Sequence, residues 1–169
     1  MILETTRLKI FPLTLRQFAL LLEGQSVLEE ALGLAVSGHE LEEHTQAAMA
    51  GLYAEALHNH GSYQWFTNWQ IILKQDNMSA GSACFVGCPN ENGEVEIGYG
   101  INEAHRGRGY MPEAVAAMCE WALGQEGVSA VIAGTEKGNI PSARVLEKCG
   151  LTFYKEDAEC LWWRLEKGR

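Results

Sequence analysis

The chain has 169 residues, 47% of them hydrophobic and 21% charged, which is the balance of a folded domain and excludes wholesale disorder. Thirteen Lys and Arg stand against 22 Asp and Glu, a formal net charge of −9. Non-specific nucleic-acid binding and docking on an anionic membrane both need basic surface, so neither is expected.

From the amino terminus, Met1 to Arg7 has no basic segment followed by an apolar stretch, so no signal peptide is expected. No run approaches the roughly 18 apolar residues of a membrane span. Thr5 to Leu13 reads as a strand, with Leu8 and Ile10 on one face. Thr14 is an N-cap for a helix through Glu23, and Gly24 is its stop. Leu41, Thr45, Ala48, Leu52 and Ala56 recur at helical spacing and predict a second helix over 39–59. Tyr63 to Lys74 alternates and is rich in aromatic and β-branched residues, so it predicts a strand. Ser82 to Val86 predicts another, and Pro89 to Gly93 a hairpin loop. Glu94 to Ile101 is the return strand, with Val95, Ile97, Tyr99 and Ile101 on one face and Glu94, Glu96, Gly98 and Gly100 on the other. Helices follow at 109–123 and 139–148, with an apolar strand from Val128 to Gly134 between them. Leu151 to Tyr154 and Cys160 to Leu165 are short closing strands. The order predicts a single α/β (α+β) domain over 1–169 on a mixed, mostly antiparallel sheet of about six or seven strands, with helices on both faces.

Charge is uneven along the chain. Residues 1–60 hold eight acids and three bases, and residues 61–104 five acids and one base; residues 105–169 hold nine of each. The acidic front half either attracts a cationic substrate or is a set of solvated helix faces. The five cysteines, Cys84, Cys88, Cys119, Cys149 and Cys160, are odd in number and irregularly spaced, as expected of reduced thiols in a cytoplasmic protein. The pairs His39/His44 and His58/His60 have no cysteine or carboxylate company at a zinc spacing, so no metal site is expected. Trp65 and Trp69 line an acceptor pocket or pack in the core, and Trp162 and Trp163 divide between core and surface.

The informative stretch is Arg106-Gly107-Arg108-Gly109-Tyr110-Met111-Pro112-Glu113-Ala114, between the strand ending at Ile101 and a helix. Glycines let the backbone approach a bulky anion, and the following helix offers unpaired N–H groups and the positive end of its dipole. Two arginines add charge, and Pro112 fits the first helical turn. The local chemistry suits a phosphate or pyrophosphate, and a purely structural turn is the other reading. No Gly-Lys-Ser/Thr follows, so this is not a P-loop; Pro112 stands where the dinucleotide fingerprint needs its third glycine.

Arg106-x-x-Gly109-x-Met111 resembles the pyrophosphate-binding signature of the GNAT acetyltransferase superfamily, Gln/Arg-x-x-Gly-x-Gly/Ala. Glu96-Ile97-Gly98-Tyr99 with the stretch from Arg106 to Ala114 looks like the branch containing the ribosomal-protein N-terminal acetyltransferases. Asn139-Ile140-Pro141-Ser142, leading to Lys148-Cys149-Gly150-Leu151, is similar to that branch's Asn-x-x-Ser helix. Met111 replaces the small residue of the signature, Leu151 replaces a Phe, and Leu146 stands where many members carry a Tyr that protonates the departing thiolate.

The resemblance implies acetyl-CoA as co-substrate and a primary amine as acceptor, on a small molecule or a protein N-terminus, with direct transfer between them. It implies a sheet splayed between the strands ending at Ile101 and near Gly134, with the pantetheine arm inserted there against Ile101. Backbone N–H groups of Arg106, Gly107, Arg108, Gly109, Tyr110 and Met111 would hold the pyrophosphate, Asn139 the pantetheine and Arg144 a nucleotide phosphate. An alkylammonium has no lone pair, so a base must deprotonate the amine. Glu96 is the candidate base, or an ordinary outward-facing strand residue; Ser142 is the candidate thiolate partner, or a helix residue bonded to nearby backbone. A homodimer is a family-level expectation. The alternative function is a non-catalytic acyl-CoA-binding or sensing module on the same fold, and a third is transfer of a longer acyl chain.

Overall fold

The computed structural model describes residues 1–168. Its elements in chain order are β1 (Leu3–Glu4), β2 (Leu8–Pro12), α1 (Leu15–Glu23), α2 (Gln25–Leu32), α3 (Glu43–His58), β3 (Asn68–Leu73), β4 (Met78–Phe85), β5 (Glu94–Ile101), α4 (Tyr110–Leu123), β6 (Ala130–Glu136), α5 (Ile140–Lys148), β7 (Thr152–Glu156) and β8 (Cys160–Glu166). Short 3₁₀ turns occupy His60–Trp65 and Glu103–His105.

Eight strands form one sheet in the order β1-β2-β3-β4-β5-β6-β8-β7, and only the β5–β6 pair is parallel. The extra strand relative to the sequence reading is β1, two residues long and paired to β2. Alternation along β2, β3 and β5 turns Leu8, Ile10, Trp69, Ile71, Val95 and Ile97 to one face, where Ala114, Val115, Met118 and Ala122 of α4 and Leu146 of α5 close the main core. On the other face Phe18 and Leu21 of α1, Leu28 of α2 and Met49 of α3 pack with Phe11 and Cys84. Helices therefore cover both faces, as expected.

Thr14 starts α1 with a reciprocal capping box: its hydroxyl accepts from the Gln17 N–H at 3.2 Å, and the Gln17 side chain accepts from the Thr14 N–H at 3.0 Å. Gly24 ends α1 and also begins α2, which the sequence does not predict and which has no side-chain cap of its own. The cap of α2 comes from outside it. The Glu40 carboxylate accepts from Gln25 N at 2.7 Å and Ser26 N at 3.1 Å.

The strand expected over 63–74 begins only at Asn68. Before it, Trp65 turns inward and meets Phe85 and Trp121 at ring-centroid distances of 5.0 Å each, while Trp69 meets Trp121 at 4.9 Å. These tryptophans are core aromatics. Trp163 is also buried and donates to Thr135 Oγ1 at 3.0 Å; Trp162 is half-buried. No helix is long and apolar enough to cross a membrane among the described residues.

Candidate acyl-transfer site

The site begins where two parallel strands part. β5 and β6 pair only over Glu94–Glu96 and Ala130–Ile132. Beyond that, β5 stays with β4 through Ile101, and β6 stays with β8 through Glu136. A wedge-shaped gap opens between them, as the sequence reading expected. Val86 N donates to Glu96 O, and Asn102 N donates to Ala80 O, so even-numbered residues of β5 direct their backbone groups to β4. By strand alternation the N–H and C=O groups of Ile97, Tyr99 and Ile101 point into the gap.

The Arg106–Met111 loop lies just past the end of β5. Gly107 and Gly109 adopt left-handed φ of 75° and 79°, conformations costly for other residues. Left-handed backbone at alternate positions is the geometry that gathers successive N–H groups into an anion-binding concavity. Nothing lies within 4 Å of a Cβ built at Gly107. Tyr110 and Met111 form the first turn of α4, whose N–H groups have no intrahelical acceptor. Arg106, Arg108 and Arg144 are exposed, and among the described residues none of the three is in an ion pair. Met111 is buried in the core, so only its backbone faces the loop. This donor set fits a pyrophosphate.

Arg7 holds this loop in place, and sequence reading missed it. Its Nη1 donates to the Arg108 carbonyl at 2.8 Å, its Nε to Glu113 Oε1 at 2.8 Å, and its guanidinium stacks on the Tyr110 ring at 4.4 Å. Thr5 Oγ1 and Arg7 N also donate to Glu113 Oε2. Burial pushes the Glu113 carboxyl up, but the hydrogen bonds from Thr5 and Arg7 outweigh it and hold the group below its ordinary value. No local signal in residues 5–7 marks the partnership, because it depends on β2 lying beside α4.

The two candidate chemical groups lie on opposite faces of β5. Tyr99 projects on the α5 face, where its hydroxyl lies 2.9 Å from Ser142 Oγ and donates to Ser142 O at 3.0 Å. Ser142 sits in the first turn of α5, capped by Asn139, whose Oδ1 accepts from Ser142 N at 3.2 Å. The Asn139 carbonyl oxygen of the side chain is thereby occupied, leaving its amide group for other contacts. Burial raises the Tyr99 phenol to about 12. Leu146, one turn further along, is fully buried.

Glu96 projects on the other face and is half-buried. Burial alone raises its carboxyl. Gly98 and Gly100 follow on the same face, so a strip free of side chains runs from Glu96 toward the end of β5. A Cβ at Gly100 would meet nothing within 4 Å. The strip ends in a cavity of about 350 Å³ lined by Gly100, Ile101, Arg106, Gln70, Ser79 and the 39–42 segment, with Glu40, Glu42 and Glu103 on its walls. Glu96 does not line the cavity itself; at about 3.3 Å per residue it stands roughly 13 Å from it along β5. Trp65 and Trp69, read as lining an acceptor pocket or packing in the core, do not line this cavity. On the far lip of the gap, Trp162 covers Gly134, where an added Cβ would meet its ring at 3.1 Å.

A mixed sheet splayed at β5–β6, with a glycine loop leading into α4, is the architecture of an acetyltransferase domain. The model of the acetyltransferase (GNAT) domain matches residues 7–152, and the chain belongs to that family. It is 38% identical over 112 residues to the Bacillus subtilis (strain 168) protein named uncharacterized N-acetyltransferase YjdG, covering 66% of each chain. It is 32% identical over 88 residues to the Bacillus licheniformis protein named uncharacterized N-acetyltransferase p20, spanning 48% of that protein. The alignments thus leave a third to a half of those relatives unmatched. Among solved structures, ribosomal-protein-S5-alanine acetyltransferase from Vibrio fischeri superposes with a TM-score of 0.72 at 13% identity, covering 99% of this chain and 97% of that one. The ribosomal L7/L12 alpha-N-protein acetyltransferase RimL in complex with coenzyme A superposes with a TM-score of 0.69 at 16% identity, covering 98% of both. These likenesses are of fold.

Proposed function

We infer that the protein transfers an acetyl group from acetyl-CoA to a primary amine. The observation that carries this reading is the arrangement about the gap: Glu96 on one face, the Tyr99–Ser142 pair on the other, and the anion loop at the mouth. Acetyl-CoA is the substrate that supplies the activated acyl group. The N–H groups from Arg106 to Met111 take its pyrophosphate, Arg144 approaches a further phosphate, and the gap edge at Ile101 takes the pantetheine, with the Asn139 amide beside it.

The amine enters through the 350 Å³ cavity, a volume suited to a small amine or the first residues of a peptide. Glu40, Glu42 and Glu103 favour a cationic acceptor. Glu96, through water along the Gly98–Gly100 strip, accepts one proton from nitrogen. The nitrogen lone pair forms the N–C bond, the C–S bond breaks with its electron pair on sulfur, and the second nitrogen proton passes through water to the thiolate, leaving an amide and free thiol. The N–H of Ile101 is oriented to stabilise the oxyanion. Ser142 donates a hydrogen bond to the leaving thiolate from the opposite face, and fully buried Leu146 takes no part.

The test is release of free thiol from acetyl-CoA with a panel of primary amines, from aliphatic diamines to short peptides with a free N-terminus. Acceptor-dependent release, reduced in Glu96→Gln and Ser142→Ala, is expected. Tight acetyl-CoA binding with no release above the uncatalysed rate for any primary amine would replace this reading with the non-catalytic acyl-CoA-binding module.

A further inference from the structure

Tyr99 has one hydroxyl hydrogen and two acceptors within reach, Ser142 O at 3.0 Å and Ser142 Oγ at 2.9 Å. Ser142 likewise has one hydrogen. Two arrangements satisfy both groups. In the first, Tyr99 donates to the carbonyl and Ser142 donates to the Tyr99 oxygen. In the second, Tyr99 donates to Ser142 Oγ, and the serine hydrogen is released to point elsewhere. The second frees the Ser142 hydrogen for a sulfur in the gap and at the same time holds the serine oxygen in place.

The pair also crosses the parted strands. Tyr99 belongs to β5 and Ser142 to α5, which follows β6, so the contact ties together the two walls of the wedge. We propose that Tyr99 is a positioning residue that orients the Ser142 hydroxyl toward the thioester sulfur by switching its own hydrogen from Ser142 O to Ser142 Oγ. No covalent bond changes in this switch; two hydrogen bonds are exchanged as negative charge gathers on sulfur. Burial keeps the phenol protonated throughout the working pH range, so it retains the hydrogen the switch requires.

The inference rests on the reading of Ser142 as thiolate partner, and the experiment separates the two. Coenzyme A is bound to the protein, and the ultraviolet absorbance of its thiolate is followed against pH. A hydrogen bond to the thiolate lowers the pKa of the bound thiol. Ser142→Ala is expected to raise it by about one unit, the scale of a hydrogen bond to a charged group. Tyr99→Phe should raise it by a similar amount, and the double variant no further. Replacing Tyr99 by a monofluorotyrosine, which keeps the shape and its hydrogen but donates more strongly, should lower it. A purely structural tyrosine would not produce opposite shifts from these two replacements, so the monofluorotyrosine result stands even if Tyr99→Phe loosens the fold. A shift in Ser142→Ala with none in either Tyr99 variant would overturn the proposal and leave the Ser142 reading standing. No shift in Ser142→Ala would overturn both.

Discussion

The Arg7 Nε and the Glu113 carboxylate meet at 2.8 Å although 106 positions separate them. Arg7 also binds the Arg108 carbonyl, so one side chain from the β1–β2 turn fixes both the anion loop and the first turn of the helix behind it. Arg7→Ala should therefore weaken acetyl-CoA binding by about tenfold. The stability cost is small, about 1 kcal/mol, because Arg7 is 43% exposed. Calorimetric titration and thermal melting check the two effects separately. Equal affinity in the variant would mean that the loop holds its shape unaided.

The lowered Glu113 carboxyl has a signed consequence for stability. Its contribution is fully present above the unfolded-state value of about 4.3 and is lost as pH falls through the lower folded value. Glu113→Gln should flatten the acid side of the stability curve in that window. Denaturant midpoints measured across it report the change, and an unchanged acid slope would contradict the assignment.

Glu96 has the opposite displacement. Burial raises its carboxyl, so the acid limb of kcat/KM should lie above the ordinary glutamate range. Below that limb the group is protonated and cannot accept the amine proton. Glu96→Gln should lower kcat by roughly 10²–10⁴-fold and remove the limb, with acetyl-CoA affinity nearly intact. An unchanged pH–rate profile would dismiss Glu96 as the base.

Gly100 tests the acceptor route. Gly100→Val places a branched side chain on the strip between the cavity and Glu96, in space that is open. KM for the amine should rise by about tenfold or more while the affinity for acetyl-CoA changes little. Equal losses for both substrates would show that the strip is not a route for the acceptor alone.

The five thiols should differ in reactivity. Cys119 is buried and raised to about 12, and Cys149 to about 11, both first by burial; Cys88 is exposed. Alkylation near pH 8 followed by mass spectrometry should label Cys88 early and Cys119 last. Early labelling of Cys119 would contradict the packing of α4 against the sheet.

Much of the framework was legible because its signals are local. The Pro89–Gly93 loop and the period-two pattern bounded β5 correctly, and Thr14 marked the start of α1. Gly107 and Gly109 signalled the left-handed backbone of the 106–111 loop. What escaped was set by contacts between distant segments. The cap of α2 is Glu40, 15 positions from Gln25, so Gly24 read only as a stop. Trp65 left the expected strand because Phe85 and Trp121 hold it in the core. Tyr99 followed the core pattern of its strand, and its bond to Ser142, 43 positions away, required α5 to fold back beside the gap.

The central claim is that the Arg106–Met111 loop and the β5–β6 gap bind acetyl-CoA. Calorimetric titration of the protein with acetyl-CoA, beside Gly109→Glu, tests it most directly. The glutamate puts an anion at the centre of the loop, and a thermal melt of the variant confirms that it remains folded despite the left-handed φ at that position. Micromolar binding by the natural protein, lost in the folded variant, is the predicted result. A folded natural protein that does not bind acetyl-CoA at low salt would contradict the account.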